Sequence, residues 1–234
     1  MRITTPNKYL ADHSDEWLAK ETPNWFASLK KRREDLEHST LKAGTVKSCP
    51  SFVDIFRNSL VLRAPCDFVF TVTGEGENIL IHEFANSQFI NVEHHDLSSQ
   101  IEKHWGDQHI NIKLNFQAQL LSDTSSKCLI LPPEYHFEEG LSPIQPMLGV
   151  INLLPNLGTW LNINMIVGKQ YILDAKEIFV RKRTPLAYIY FPFEERVAVE
   201  YVSQTEYDKT SFTRTSFGGD YLRAVMKGKE NGES

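Results

Sequence analysis

The chain is poor in cysteine and carries no cysteine pair of the kind that binds zinc. Its 234 residues include three cysteines, Cys49, Cys66 and Cys128, and no Cys-x-x-Cys motif. An odd number of widely spaced cysteines argues against a disulfide framework and against a cysteine-based zinc site. We therefore expect reduced thiols and a cytoplasmic protein.

Long apolar runs and an excess of positive charge are also missing. No stretch approaches the ~18 apolar residues of a membrane span, and residues 1–7 lack the apolar segment of a secretory signal, so we expect no membrane association. The net charge is -5 and the sequence pI is about 5.9. This balance disfavours a nucleic-acid partner, although a local basic patch is compatible with it.

Standard catalytic and phosphate-binding motifs do not occur. The sequence contains no Gly-x-Ser-x-Gly, no Gly-x-x-x-x-Gly-Lys-Ser/Thr and no Gly-x-Gly-x-x-Gly. The Gly74-Glu75-Gly76-Glu77 stretch is glycine-rich, but its two glutamates would repel an anion. The sequence therefore predicts no cofactor, and we expect a protein without an enzymatic centre.

Short runs of alternating apolar and polar residues dominate the rest of the chain. Strict alternation over 110–116 is typical of a half-buried strand. Further β-rich runs lie at 60–62, 68–73, 79–81, 127–131, 147–151, 160–167, 178–180, 186–191 and 197–202. Because turn residues separate them at short intervals, we predict a mainly β, β-rich α+β domain over 46–202, with an antiparallel or mixed sandwich or a folded-over sheet.

The two ends of the chain have a different composition. Residues 1–45 read as a helical N-terminal arm, with caps at Ser14 and Thr22 and an apolar stripe that includes Trp25 and Phe26. That stripe would pack on the main domain or hold a protein partner, including a second copy of the chain. Residues 203–234 form a polar tail, and we expect its end to be disordered.

A basic turn between two strand-like runs is the first candidate site. Arg181, Lys182 and Arg183 precede a strand that carries Tyr188. Cations beside aromatic rings can neutralise and stack on a nucleotide, so these four residues are candidate ligand-binding residues of a hairpin over 181–190. The alternative is a solvated turn with the aromatic residues in the sheet.

Histidines in the middle of the chain form the second candidate site. Five of them lie among carboxylates in one region: His82, His94, His95, His104 and His109. Imidazole and carboxylate donors that converge at one point would hold a metal ion, as in a metal hydrolase or oxygenase. The alternative is a set of surface or hydrogen-bonded histidines. A third candidate, the loop 134–137 with Tyr135 and His136, would bind a ligand or contact the core.

The segment 149–154, followed by Gly158 and the strands 161–167 and 178–191, resembles the β-clip sheet of deoxyuridine triphosphatases. The resemblance implies a β-clip-like sheet. It places Asn152 where that family has the aspartate that activates water, and an amide is no general base at neutral pH. If the fold is shared, we therefore expect the nucleotide hydrolase activity to be absent.

Other segments resemble an uncharacterised family of tailed bacteriophages, particularly cyanophages. They are the opening 5–9, the segment 47–52, the segment 64–67 and the Thr-Pro-Leu-Ala strand at 184–187. This resemblance implies a location in the host cytoplasm or the virion, and no known activity. The function expected from the sequence is a non-catalytic accessory or binding protein. The alternative is an enzyme or binder of a small ligand, through the histidines or the basic turn.

Overall fold

The computed structural model describes residues 1–30, 45–73, 80–83, 89–94, 109–133, 135–136, 144–168, 177–192 and 196–211. The predicted mainly β class is confirmed: the protein is a β-rich, sandwich-like α+β fold. Its strands are β1 Arg2–Thr5, β2 Leu18–Ala19, β3 Ser59–Arg63, β4 Phe68–Thr73, β5 Leu80–Glu83, β6 Ile90–His94, β7 His109–Leu121, β8 Ser126–Leu131, β9 Ile144–Pro146, β10 Gly149–Leu153, β11 Thr159–Gly168, β12 Ile178–Val180, β13 Pro185–Tyr190 and β14 Ala198–Tyr201. Its helices are α1 Lys8–Asp12, α2 Ser14–Trp17, α3 Asn24–Ser28, α4 Pro50–Asn58 and α5 Gln204–Thr210, with a 3-10 turn at Val46–Ser48.

The largest sheet has six strands and is organised around β7. Its order is β14-β1-β7-β11-β9, and β6 also pairs with β7. Strand β7 is 13 residues long, so β11 pairs along one of its edges while β1 and β6 pair with different parts of the other. All these pairs are antiparallel except β1 with β14, which is parallel.

Two smaller sheets complete the fold. A five-stranded sheet has the order β10-β8-β13-β3-β2, and a three-stranded sheet has the order β12-β4-β5. All their pairings are antiparallel. Residues from all three sheets form one hydrophobic cluster, because alternate side chains of each strand point inward.

The two faces of β7 have opposite chemistry. Every second side chain from Ile110 to Leu120 is apolar and belongs to the core cluster. The side chains between them are polar, and the register places Asn91 of β6 and Asn162 of β11 on either side of Asn115. We call the outward side of β6, β7 and β11 the amide face. It carries Asn91, Asn111, Asn115, Gln119, Asn162 and Asn164.

The first thirty residues do more than form the expected helical arm. They contain three short helices, but β1 lies between β14 and β7, and β2 pairs with β3. Leu10 and Trp17 are fully buried in the core. This part of the chain therefore contributes to two of the three sheets, and residues 31–44 lie outside the described part.

A second, smaller hydrophobic cluster lies beside the five-stranded sheet. Phe26 of α3, Phe56 of α4, Val61 of β3 and Tyr188 of β13 form it, and Tyr135 packs against it. The expected polar tail begins with helix α5, whose Tyr207 is buried against Trp160. Among the helices that the structure describes, none has the length and apolarity needed to cross a membrane.

Candidate functional site

The basic turn lies where two chain segments pass from one sheet to another. Strand β12 pairs with β4, whereas β13 pairs with β3 and β8. The expected hairpin is therefore wrong, because β12 and β13 belong to different sheets and do not pair with each other. The turn Arg181–Thr184 is instead a corner, and it runs beside the corner 64–67 that links β3 to β4.

Backbone hydrogen bonds hold the two corners together. The Ala64 N–H donates to the Thr184 carbonyl at 2.9 Å, and the Arg183 N–H donates to the Ala64 carbonyl at 2.8 Å. The Asp67 carboxylate accepts from the Lys182 N–H at 2.5 Å. The basic turn is thus fixed at both ends and in its middle.

Arg183 has an unusual backbone conformation. Its φ is 69°, and it occupies the third position of a turn closed by the Thr184 N–H and the Arg181 carbonyl at 3.1 Å. This is the pattern of a type II turn, in which glycine or asparagine is the usual third residue because a side chain disfavours positive φ. The chain instead places an arginine there, and strained residues cluster at functional sites.

A cleft of about 350 Å³ opens beside this turn. Its lining residues are Glu21, Arg63, Arg181, Lys182, Arg183 and Thr184. We call this group the basic corner. Among the described lining residues, three guanidinium groups and one ammonium group surround the cleft, and Glu21 is the single carboxylate.

Arg63 forms the floor of the cleft and is only 7% exposed. Its Nε donates to Glu21 Oε1 at 2.6 Å, and its Nη2 also contacts this oxygen. Its Nη1 donates to the Arg183 carbonyl at 2.5 Å. A buried cation with these partners ties both Glu21 and the strained turn to β3.

A buried chain of polar groups continues from Glu21 into the second hydrophobic cluster. Nε2 of His136 lies 3.7 Å from Glu21 Oε1, and Nδ1 lies 2.7 Å from the Tyr188 hydroxyl. His136 therefore lies between the Glu21 carboxylate and the Tyr188 hydroxyl, with a different ring nitrogen directed at each. We call Arg63, Glu21, His136 and Tyr188 the corner network.

The cations at the rim of the cleft differ in how they are neutralised. Lys182 Nζ lies 2.6 Å from the Glu16 carboxylate and 3.3 Å from the Tyr9 hydroxyl. The hydrogen bond between them raises the pKa of Lys182 and lowers the pKa of Glu16. Within the described ranges, the side chains of Arg181 and Arg183 have no hydrogen bond or ion pair, so two positive charges remain available to a ligand.

Of the four residues proposed from the sequence for ligand binding, the structure places three at the cleft and one in the interior. Arg181, Lys182 and Arg183 line the cleft. Tyr188 is 1% exposed, and its hydroxyl is directed at His136. It therefore lies too deep to stack on a ligand, because inward-pointing positions of β13 face the second cluster.

The proposed metal-binding histidines are spread over several strands. His82 lies on β5 opposite Thr71, His94 on β6 opposite Ile112, and His109 at the start of β7 opposite Gly168. His95 and His104 lie outside the described residues. Among the residues that the structure places, no group of three or more histidine, cysteine or acidic side chains is arranged for a metal ion.

Sequence reasoning missed two members of the site. Glu21 and Arg63 are 42 positions apart, and no local pattern marks either one. His136 lies in the loop that was considered for ligand binding or core contact, and the structure places it in the core.

Comparison with protein families, curated proteins and solved structures finds no match to this chain.

Proposed function

We propose that this protein is a binding protein and that its basic corner recognises an anionic ligand bearing a phosphate group. The observation that carries the proposal is the pair of guanidiniums of Arg181 and Arg183, which have no hydrogen bond or ion pair with the described residues, beside the buried guanidinium of Arg63. Arginine forks match the oxygens of a phosphate in two-pronged hydrogen bonds. Three such groups around one cleft suit a compact anion with several oxygens.

The rigid backbone supports recognition of one ligand geometry. Hydrogen bonds to Ala64 and Asp67 fix the turn, and Arg63 fixes the carbonyl of Arg183. A preformed site loses less conformational entropy when the ligand binds. The positive φ of Arg183 is maintained by these contacts, so its side chain stays at the cleft.

A binding role is favoured over a hydrolytic one because Glu21, the carboxylate that lines the cleft, is bonded through Oε1 to the buried Arg63 guanidinium and so serves a structural contact. The resemblance to a phage family supports an accessory role, and it adds no ligand to the proposal.

Thermal unfolding with inorganic phosphate and pyrophosphate at low ionic strength tests the proposal. A ligand at 100 times its Kd should add about 2.7 kcal/mol to the free energy of unfolding, and the effect should weaken with added salt. We expect the double substitution Arg181→Gln/Arg183→Asn to abolish the shift. Asparagine at 183 tolerates positive φ, so the turn should persist.

Arg196→Gln is the matched control, because it removes an exposed arginine next to β14 rather than at the corner. It should leave the phosphate-induced shift intact. Absence of any shift with phosphate and pyrophosphate would refute the proposal. An equal shift in the wild type and the double variant would place the ligand elsewhere and also refute it.

A further inference from the structure

A second cleft lies next to the basic corner and shares Glu21 with it. It has a volume of about 300 Å³, and its wall includes Lys20, Glu21, Phe26, Val53, Phe56 and Arg57. Because Glu21 borders both clefts, the two clefts lie side by side. We call it the aromatic cleft.

The floor of the aromatic cleft is apolar and well supported. The rings of Phe26 and Phe56 lie 4.6 Å apart between centroids and belong to the second hydrophobic cluster. Val53 on α4 lies beside them and is partly exposed. Such a floor favours an apolar or aromatic group, since it removes that group from water.

The rim of the same cleft is cationic. Lys20 and Arg57 are exposed, and neither side chain makes a hydrogen bond or ion pair in the part of the chain that the structure describes. Guanidinium and ammonium groups at the edge of an apolar floor can donate to the ring nitrogens and carbonyls of a base, or lie over its face.

Glu21 has an unused oxygen at the junction of the two clefts. Both Arg63 contacts and the approach of His136 go to Oε1, and Oε2 has no hydrogen-bond partner among the described residues. The side chain is 35% exposed. A fixed carboxylate oxygen of this kind is a good acceptor for sugar hydroxyls, as acidic residues are in dinucleotide sites.

We infer that the two clefts together bind a nucleoside phosphate. The phosphate lies at the basic corner, the sugar hydroxyls donate to Glu21 Oε2, and the base lies on Phe26 and Phe56. This inference rests on the proposed function, because it uses the basic corner for the phosphate. It adds the chemical class of the ligand.

Isothermal titration of the full chain with three kinds of ligand tests the inference: inorganic phosphate, ribose 5-phosphate and a panel of nucleoside 5′-monophosphates. We expect the affinity to rise in that order, with at least one nucleotide binding roughly ten-fold or more tightly than ribose 5-phosphate. A 2′,3′-dideoxynucleotide should bind more weakly than its parent, because it cannot donate to Glu21.

Val53→Trp should fill the aromatic cleft without touching the basic corner. We expect it to reduce nucleotide affinity to that of ribose 5-phosphate and to leave phosphate affinity unchanged. Val53→Ala is the matched control for the position and should keep the preference for nucleotides. Circular dichroism and the thermal midpoint check that both variants fold.

The outcomes separate this inference from the proposed function. If phosphate binds but no nucleotide binds more tightly than ribose 5-phosphate, the nucleoside inference is wrong and the anion site stands. If neither phosphate nor any nucleotide binds, both are wrong. If Val53→Trp weakens all ligands equally, the aromatic cleft does not hold the base and the inference is again wrong.

Discussion

Buried polar groups of the corner network have partners, whereas several on the amide face have none among the described residues. Arg63, His136 and Tyr188 are each bonded to another member of the network or to backbone. On the amide face, both amide atoms of Asn111 and Oδ1 of Asn115 and Asn162 are buried without a hydrogen bond to any residue that the structure describes. The two regions therefore place polar atoms in the interior at very different cost.

Two buried tyrosines show the same contrast in one residue type. Tyr188 is 1% exposed and its hydroxyl bonds to His136, whereas Tyr207 is 4% exposed and its hydroxyl has no hydrogen bond within the described part of the chain. A satisfied buried hydroxyl contributes to stability, and an unsatisfied one costs free energy. The comparison shows that the corner network holds its side chains in a defined geometry, because their buried polar atoms bond to one another or to backbone.

Arg63→Met should give the largest effect, because it removes the centre of the corner network. We expect a loss of about 2–4 kcal/mol in the free energy of unfolding. This is less than the largest losses seen when one partner of a buried ion pair is removed, because Glu21 is partly exposed. Urea denaturation measures it. The control is Arg57→Met on α4, an exposed arginine whose loss should change stability by less than ~0.5 kcal/mol. Equal effects at the two sites would remove the structural role assigned to Arg63.

Gly158→Ala should have the next largest effect, and it concerns the amide face, which carries Gln119. A Cβ atom at Gly158 would lie 2.1 Å from Oε1 of the buried Gln119 and 3.1 Å from the Thr210 carbonyl. Because α5 and β7 meet at this position and neither can easily move away, we expect Gly158→Ala to lower the free energy of unfolding by about 1–3 kcal/mol.

Gly149→Ala is the matched control for that prediction. A Cβ atom at Gly149 would meet only Ile130, at 3.9 Å, which is ordinary contact. We expect a change within ~0.5 kcal/mol in the same urea titration. If Gly158→Ala changed the free energy of unfolding as little as Gly149→Ala, α5 would not pack closely against Gln119.

Strand content was predictable from the sequence because it depends on local alternation. The run 110–116 shows the period of two that a half-buried strand requires, and it lies within β7. Strand β1 was not predicted, since its four residues Arg2–Thr5 are too few to show a pattern and its pairing partners lie more than 100 positions away. The helical expectation for 1–45 therefore described only the helices of the first thirty residues.

The candidate site was predictable only in its charged rim. Arg181, Lys182 and Arg183 stand together in the sequence, so their clustering needs no tertiary information. Glu21 and Arg63 meet because β2 pairs with β3, and that register is set by the whole sheet. Tyr188 was misjudged because alternation along β13 does not tell which of its faces lies against α3 and α4.

The same substitution at the two buried tyrosines should have opposite consequences. Tyr188→Phe removes the hydrogen bond between the tyrosine hydroxyl and Nδ1 of His136, and we expect a loss of about 1–2 kcal/mol in the free energy of unfolding. Tyr207→Phe removes an unsatisfied hydroxyl, and we expect no loss or a gain of up to about 1 kcal/mol. Urea denaturation of both variants at pH 7 measures the difference. Losses of equal size would show that the Tyr207 hydroxyl has a partner.

The smallest effect should appear in the pH dependence of stability. Burial raises the pKa of Tyr207 from 10.0 to about 12, and the nearby Gln119 amide, although not in hydrogen-bonding geometry with the hydroxyl, opposes this rise. A raised pKa means that the folded state favours the neutral hydroxyl. Its contribution to stability is present below pH 10 and is lost as the pH rises from 10 toward 12.

Tyr207→Phe cannot lose a proton at this position, so it should resist alkali better than the wild type. Between pH 8 and 10.5 we expect the wild type to lose more stability than the variant, by less than about 1 kcal/mol. Urea titrations at both pH values measure this, and Tyr201→Phe is the control, because Tyr201 is exposed. If the wild type and Tyr207→Phe lost stability equally over this pH range, the Tyr207 hydroxyl would ionise as readily in the folded chain as in the unfolded one. Tyr207 would then be reached by water, and the contrast between the amide face and the corner network would be smaller than the structure indicates.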